Sequence, residues 1–328
     1  MILYYDPRFL HYSHSPGHPE RPERLSLSIE KLRSIDTKVS FSTPEPLTFD
    51  EICTVHTRDY VRGISERSIR WVDDETPVHP ETYNISALSA GSAGCALAEA
   101  QKRALPVLSL SRPPGHHAFP DHGGGFCYFN NAALACELLG NGRTAIVDID
   151  VHHGNGTSAI FYRTDKVLYI STHQDGIYPG TGRVNETGEG QGKGYNVNIP
   201  LPSGAGDGSF LKAMEEIILP ILRQYNPAEV VVSMGADAHI KDPLATLSLS
   251  TRGYLTLLEK LVSFCSRTAF ILEGGYSPEA LADVVCAAYA SFSGISYIPV
   301  FGVETDVECR GRRWIEDARK VLSQHWNL

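Results

Sequence analysis

Nowhere in the 328 residues is there an apolar run long enough to span a bilayer as a helix, so an integral helical membrane protein is excluded. Positive charge is also short: 29 Lys and Arg stand against 38 Asp and Glu, a net charge of -9. That balance argues against non-specific binding to a nucleic-acid backbone or an anionic membrane. The seven cysteines, Cys53, Cys95, Cys127, Cys136, Cys265, Cys286 and Cys309, form no CxxC pair and are odd in number. Such spacing suits reduced thiols rather than a disulfide framework. Met1–Phe9 lacks the basic segment and long apolar run of a secretory signal, so a cytoplasmic location is expected. No repeat, low-complexity tract or linker marks a boundary, and residues 1–328 read as one domain.

What is present is an alternation of short β-branched runs and helical stretches. The runs Pro106–Ser111, Ala145–Ile149, Val167–Ser171, Glu229–Met234 and Ala269–Leu272 read as strands. Ser86–Arg103, Asn130–Leu139, Ser209–Gln224, Arg252–Ser263 and Pro278–Ser291 read as helices. Near-continuous apolar strands separated by helices predict a parallel sheet covered on both faces, an α/β fold. Ligands of such sheets bind outside the carboxyl ends of the strands. Each predicted strand here runs into a polar or glycine-rich segment: RPPGHHAF, the Asp and His run, THQDGIYPGTG, GADAH and EGGYS. Together they read as one composite site. The glycine-rich Asp175–Tyr195 reads as a long functional loop.

The stretch Thr144–Thr157, TAIVDIDVHHGNGT, carries the most chemistry. Alternate residues of an extended chain share a face, so Asp150 and His152 are expected to reach one point above the strand end. A carboxylate and an imidazole at one point are metal ligands by type, with zinc the first expectation. The structural alternative is a helix-capping cluster. Asp237, after the VVVSMGA strand, is the best-placed third ligand, against a turn cap as the alternative. Asp–His–Asp with an open fourth position suits a hydrolytic metal, and ferrous iron would also accept these donors. His116 and His117 follow a Pro-Pro-Gly bend, where one ring can serve as general base and acid and the other as a charged stabiliser. Asp148 and Asn155 are available to orient them. Tyr276, between glycines and a helix start, can donate to a scissile carbonyl. Phe126, beside Gly125, and Tyr178 are candidate walls of a narrow apolar slot.

RPPGHHA, GGFCYFNNAALA, VDIDVHHGNGT, YPGTG, GADAH with the following DPL, and LEGGY, in this order, resemble the histone deacetylase family. The early HPERPERL fits the same family, and the likeness runs from about Tyr5 to Ala290. The resemblance implies the arginase–deacetylase α/β fold, with a central parallel sheet of about eight strands. It implies Zn2+ on Asp150, His152 and Asp237, His117 as base and acid, His116 as its electrostatic partner and Tyr276 as carbonyl polariser. It also implies structural K+ or Na+, with Asp148, Asp150, His152, Ser171 and Thr172 matching one site. Phe161, Thr164, Val167 and Tyr195 match a second. Asn155 and RPPGHH resemble the class II branch, and Leu244 stands where polyamine-selective relatives carry a glutamate. Asp74 or Glu75 aligns with a rim acid that holds substrate. The implied activity is zinc-dependent removal of an acyl group from a lysine-like amine, in a monomer or small homo-oligomer. An acetylpolyamine or other small amide is the alternative substrate, and a silent acyl-lysine-binding module is the non-enzymatic one. A two-manganese ureohydrolase would need further bridging acids, and His153 stands where one is wanted.

Overall fold

The computed structural model describes residues 1–328. Its strands are β1 (Ile2–Tyr4), β2 (Trp71–Asp73), β3 (Thr76–Pro77), β4 (Val107–Ser109), β5 (Thr144–Asp148), β6 (Val167–Gln174), β7 (Asn196–Leu201), β8 (Glu229–Met234) and β9 (Thr268–Leu272). Seven of them form one sheet in the order β1-β4-β9-β8-β5-β6-β7, and every pair in it is parallel. The sheet thus has seven strands where the resemblance implies about eight. β2 and β3 form a separate antiparallel hairpin.

Every residue of β4 to β9 is buried, as a sheet covered on both faces requires. On one face the helix Thr82–Arg103 packs against Asn131–Leu139. Their shared core is built from alanines such as Ala93, Ala96, Ala132 and Ala133. The loop at Glu45 also approaches the first helix closely: a Cβ on Gly91 would come within 1.8 Å of the Glu45 carbonyl oxygen. The other face holds the larger core, where Glu23–Ile35 packs on Pro278–Ser293 and that helix on Thr251–Phe264. No helix is long and apolar enough to cross a membrane.

Most predicted elements occur, with shifted ends. Pro106–Ser111 shrinks to β4, the strand ending at Ser109 shortly before the chain bends at Arg112 and Pro113. The predicted helix Ser209–Gln224 is three pieces: Asp207–Ala213, a wide π turn at Met214–Ile218, and Leu219–Tyr225. Pro220 has no N–H to give the preceding turn, and the chain widens there. The two edge strands, β1 and β7, lie outside the predicted set. β7 carries Pro200, which an edge tolerates because one side needs no hydrogen bonds.

His56 shows how burial fixes a protonation state. Its Nδ1 donates to the Phe119 carbonyl (2.9 Å) and its Nε2 accepts from Asn130 N (2.9 Å). Burial pushes this imidazole down to about 4. The unfolded chain, titrating near 6.5, therefore takes up the proton first, so this contribution is complete above about pH 6.5 and is lost as pH falls towards 4. We expect urea midpoints to drop between pH 7 and pH 5, and His56→Gln to flatten part of that slope. An identical slope in wild type and variant would contradict the assignment.

Candidate active site

The carboxyl ends of β4, β5, β6, β8 and β9 open on one side of the sheet, and the candidate residues follow them. After β5 the chain turns sharply. Asp150 N donates to Asp148 Oδ1 (3.1 Å) and His152 N donates to Asp150 Oδ1 (2.9 Å). Asp150 and His152 are thus brought together by two successive side-chain-closed turns, not by the alternation of an extended strand, which ends at Asp148. His152 Nδ1 lies 3.1 Å from Asp150 Oδ1 and 3.3 Å from Asp237 Oδ2.

This donor set fits a cation. One ligand atom from each of Asp150, His152 and Asp237 lies within 4.8 Å of the others. Asp237 Oδ2 is buried and makes no hydrogen bond. The remaining carboxylate oxygens are occupied by backbone: Val151 N donates to Asp237 Oδ1 (2.9 Å) and Gly274 N to Asp150 Oδ2 (2.8 Å). A Cβ on Gly274 would fall 2.0 Å from Asp237 Oδ2, so only glycine lets the β9 loop close over the two carboxylates. Burial opposes a charge on His152, yet the two carboxylates hold its proton up to about 10. A positive charge belongs at this point, as a proton or as a metal. His153 is not part of the cluster: its Nδ1 pairs with Thr181 Oγ1 at 2.8 Å and its ring packs on His173.

The two tandem histidines have unlike partners. His116 Nδ1 lies 3.1 Å from Asp148 Oδ2, which also accepts from the Tyr169 hydroxyl (3.0 Å). His117 Nδ1 lies 2.7 Å from Asn155 Oδ1. Burial pulls His116 down, but Asp150 and Asp148 outweigh it and raise it to about 10. Burial and the neighbouring His116 and His152 push His117 well below its usual value. The surroundings thus favour a proton on one ring and disfavour it on its neighbour, with ring centroids 4.0 Å apart. Burial raises the Tyr276 phenol well above its usual range, so its hydroxyl keeps its proton and remains a donor.

Tyr178 stands edge-on to His117, with centroids 5.0 Å apart, and Phe126 edge-on to Tyr276 at 5.7 Å. Gly125, with a positive φ, sits between: its Cβ would meet the His117 ring at 2.5 Å. The hairpin turn presents its acids differently. Asp74 is exposed in the hairpin turn, whereas Asp73 turns inward and its Oδ2 accepts from Gly125 N at 2.6 Å. Leu244 is 40% exposed, two residues from Asp242. Of the cation-site matches, Asp148 pairs in register with Ser171, next to Thr172. In the second set, the Phe161 carbonyl accepts from Thr164 N, Val167 opens β6 and the Tyr195 carbonyl accepts from Tyr169 N.

Four further residues escaped the sequence reading. Glu273 Oε2 accepts from Gly115 N (2.6 Å) and His116 N (3.1 Å), fixing the histidine turn. Asp242 Oδ2 accepts from Tyr276 N (2.6 Å) and Ser277 N (3.1 Å). Arg24 and Asp73 complete the set. Glu273 opens the EGGY run and offered a signal; Asp242, Arg24 and Asp73 lie far along the chain from the groups they hold.

The Histone deacetylase domain family matches residues 18–292. The chain belongs to the histone deacetylase family. A probable deacetylase of Archaeoglobus fulgidus is 36% identical over 99% of this chain and 98% of its own length. The histone deacetylase-like amidohydrolase of Pseudomonas aeruginosa is 37% identical over 92% of this chain and 81% of its own. The crystal structure of the HDA15 HD domain matches with a TM-score of 0.90 and 30% identity, over 99% of this chain and 95% of that one. The fold of this histone deacetylase family member is thus the one that the motifs implied.

Mass action gives a test of the ligand set that needs no substrate. Free zinc at a hundred times its Kd should stabilise the metal-free protein by about 2.7 kcal/mol. Asp237→Asn should abolish that thermal shift. A variant that still gains the full shift would contradict the assignment of Asp237.

Proposed function

We propose that this histone deacetylase family member is a zinc-dependent amidohydrolase that removes an acetyl or other acyl group from a lysine-like amine. The observation that carries the reading is the unlike pairing of the two histidines beside a cation-demanding cluster: a carboxylate behind His116 and an amide behind His117. A zinc ion held by Asp150, His152 and Asp237 would polarise an acyl oxygen and acidify a water beside it.

The chain's own groups account for the proton movements. Asn155 Oδ1 accepts from His117 Nδ1, which leaves Nε2 free to take a proton. His117 removes that proton from the attacking water as its oxygen bonds to the acyl carbon. It returns the proton to the amine nitrogen as the C–N bond breaks, so a carboxylic acid and an amine leave, and the acid's proton then passes to the amine to give carboxylate and ammonium. His116, backed by Asp148, keeps its positive charge and favours the developing oxyanion. The Tyr276 hydroxyl donates to that oxygen. Phe126 and Tyr178 flank a thin acyl-amine stem and exclude water around it. Asp73, rather than Asp74, is the rim acid facing an incoming substrate. Monovalent cations beside Ser171 and Thr172, and near Phe161, Thr164, Val167 and Tyr195, would be structural.

Leu244 in place of an acid favours acyl-lysine over acetylpolyamine, because an apolar rim residue offers a second ammonium no partner. Tyr276→Phe should lower turnover of an acetyl-lysine peptide by about 10²–10³-fold, the usual loss for one oxyanion donor, with zinc content unchanged. Full turnover in that variant would remove Tyr276 from the mechanism.

A further inference from the structure

Glu20 is completely buried although it lies in the N-terminal segment, remote in sequence from His116, His117 and Tyr276. Its two carboxylate oxygens face two equally buried guanidiniums. Arg112 donates through Nε to Oε1 (2.7 Å) and through Nη2 to Oε2 (2.6 Å), and Arg24 Nη1 donates to Oε1 (3.1 Å). Burial alone would push this carboxyl up; the two guanidiniums outweigh it and hold it at about 2.

Each arginine leads to a different half of the site. Arg112 immediately precedes the Pro113–Pro114–Gly115 bend that carries His116 and His117. Its remaining nitrogen donates to the carbonyls of Phe9 (2.6 Å) and Tyr12. Arg24 donates to the carbonyls of Gly275 (2.7 Å) and Glu273, the backbone just before Tyr276. Its guanidinium also lies 5.0 Å from the centre of the Tyr276 ring. We infer that Glu20 is a positioning residue: through Arg112 and Arg24 it fixes the loop bearing Tyr276 against the loop bearing His117. The inference rests on the functional reading above, in which both groups act on one acyl carbonyl.

The carboxylate is suited to this in a way its amide is not. Glu20 spends Oε1 on both arginines and Oε2 on Arg112. A glutamine keeps the volume but has one acceptor oxygen, so its NH2 would face a guanidinium donor. Arg112 then loses one of its two bonds, or Arg24 its only one, and a neutral amide attracts either guanidinium less, so the common anchor of the two loops is weakened. Misplacement of a catalytic group by about 1 Å costs about a hundredfold in rate.

The experiment is a double-mutant cycle on the full chain loaded with zinc, with an acetyl-lysine peptide as substrate. Glu20→Gln, Tyr276→Phe and the double variant are compared for kcat, KM, zinc content and circular-dichroism melting. Glu20→Gln should lower kcat by about ten- to a hundredfold with normal zinc content and KM changed by less than about threefold. In the Tyr276→Phe background the same change should cost less than about threefold, because the hydroxyl it positions is gone. Wild-type kcat in Glu20→Gln, or an equal loss in both backgrounds, overturns the positioning role and leaves the functional reading standing. A wild type without turnover, or full turnover in Tyr276→Phe, overturns the functional reading and the inference with it. Should Glu20→Gln fail to fold, Arg24→Lys carries the test, since lysine keeps the charge but cannot fork between Gly275 and Glu273. It should reproduce the kcat loss and its dependence on Tyr276, and a folded Arg24→Lys protein with wild-type kcat overturns the proposal.

Discussion

Asp150 and Asp237 are fully buried and converge on one imidazole, where two carboxylates cannot both ionise without positive charge between them. Much of the surrounding structure follows from this electrostatic demand. The free oxygens of both acids are taken by backbone N–H groups of Val151 and Gly274, which aims the remaining oxygens at a single point. Glycine at 274 is needed because any side chain there would occupy that point. The parallel sheet supplies the convergence, since its strands all end on one side and each delivers one loop.

The neighbouring charges are arranged in the same manner, each acid with a cationic or donor partner. Asp148 backs His116, Glu273 gathers the N–H groups of the histidine turn, and Glu20 joins Arg24 and Arg112. Removing one member of such a group leaves an uncompensated buried charge, which costs about 3–5 kcal/mol. Buried pairing of this kind is poor at raising stability but good at fixing geometry. Two loops far apart in the chain, one bearing His117 and one bearing Tyr276, are held in one relation by side chains that touch neither substrate nor metal under the proposed mechanism.

The fold, and which candidate residues the structure brings together, were legible because local rules carry them. Apolar runs marked the interior strands, and the polar residues at their carboxyl ends marked the face on which the site lies. Asp150, His152, Asp237 and the histidine pair stood out by residue type and by neighbouring glycines, although a turn rather than a strand brings the first two together. The supporting residues were not legible. Nothing local says that Glu20 and Arg112, 92 positions apart, share a salt bridge. Asp73 and Asp74 are chemically identical neighbours, and only the twist of the hairpin decides which one turns inward. β1 and β7 are edge strands whose short or proline-bearing sequences lack the continuous apolar run of the interior.

The most direct test of the central claim is turnover of a small substrate panel by the zinc-loaded protein, with and without a hydroxamate chelator. The panel holds an acetyl-lysine peptide, longer-chain and trifluoroacetyl lysine analogues, and an acetylated polyamine. The account predicts chelator-sensitive cleavage of an acyl-lysine member, with the polyamine a poorer substrate. No cleavage of any member by protein carrying stoichiometric zinc would contradict it.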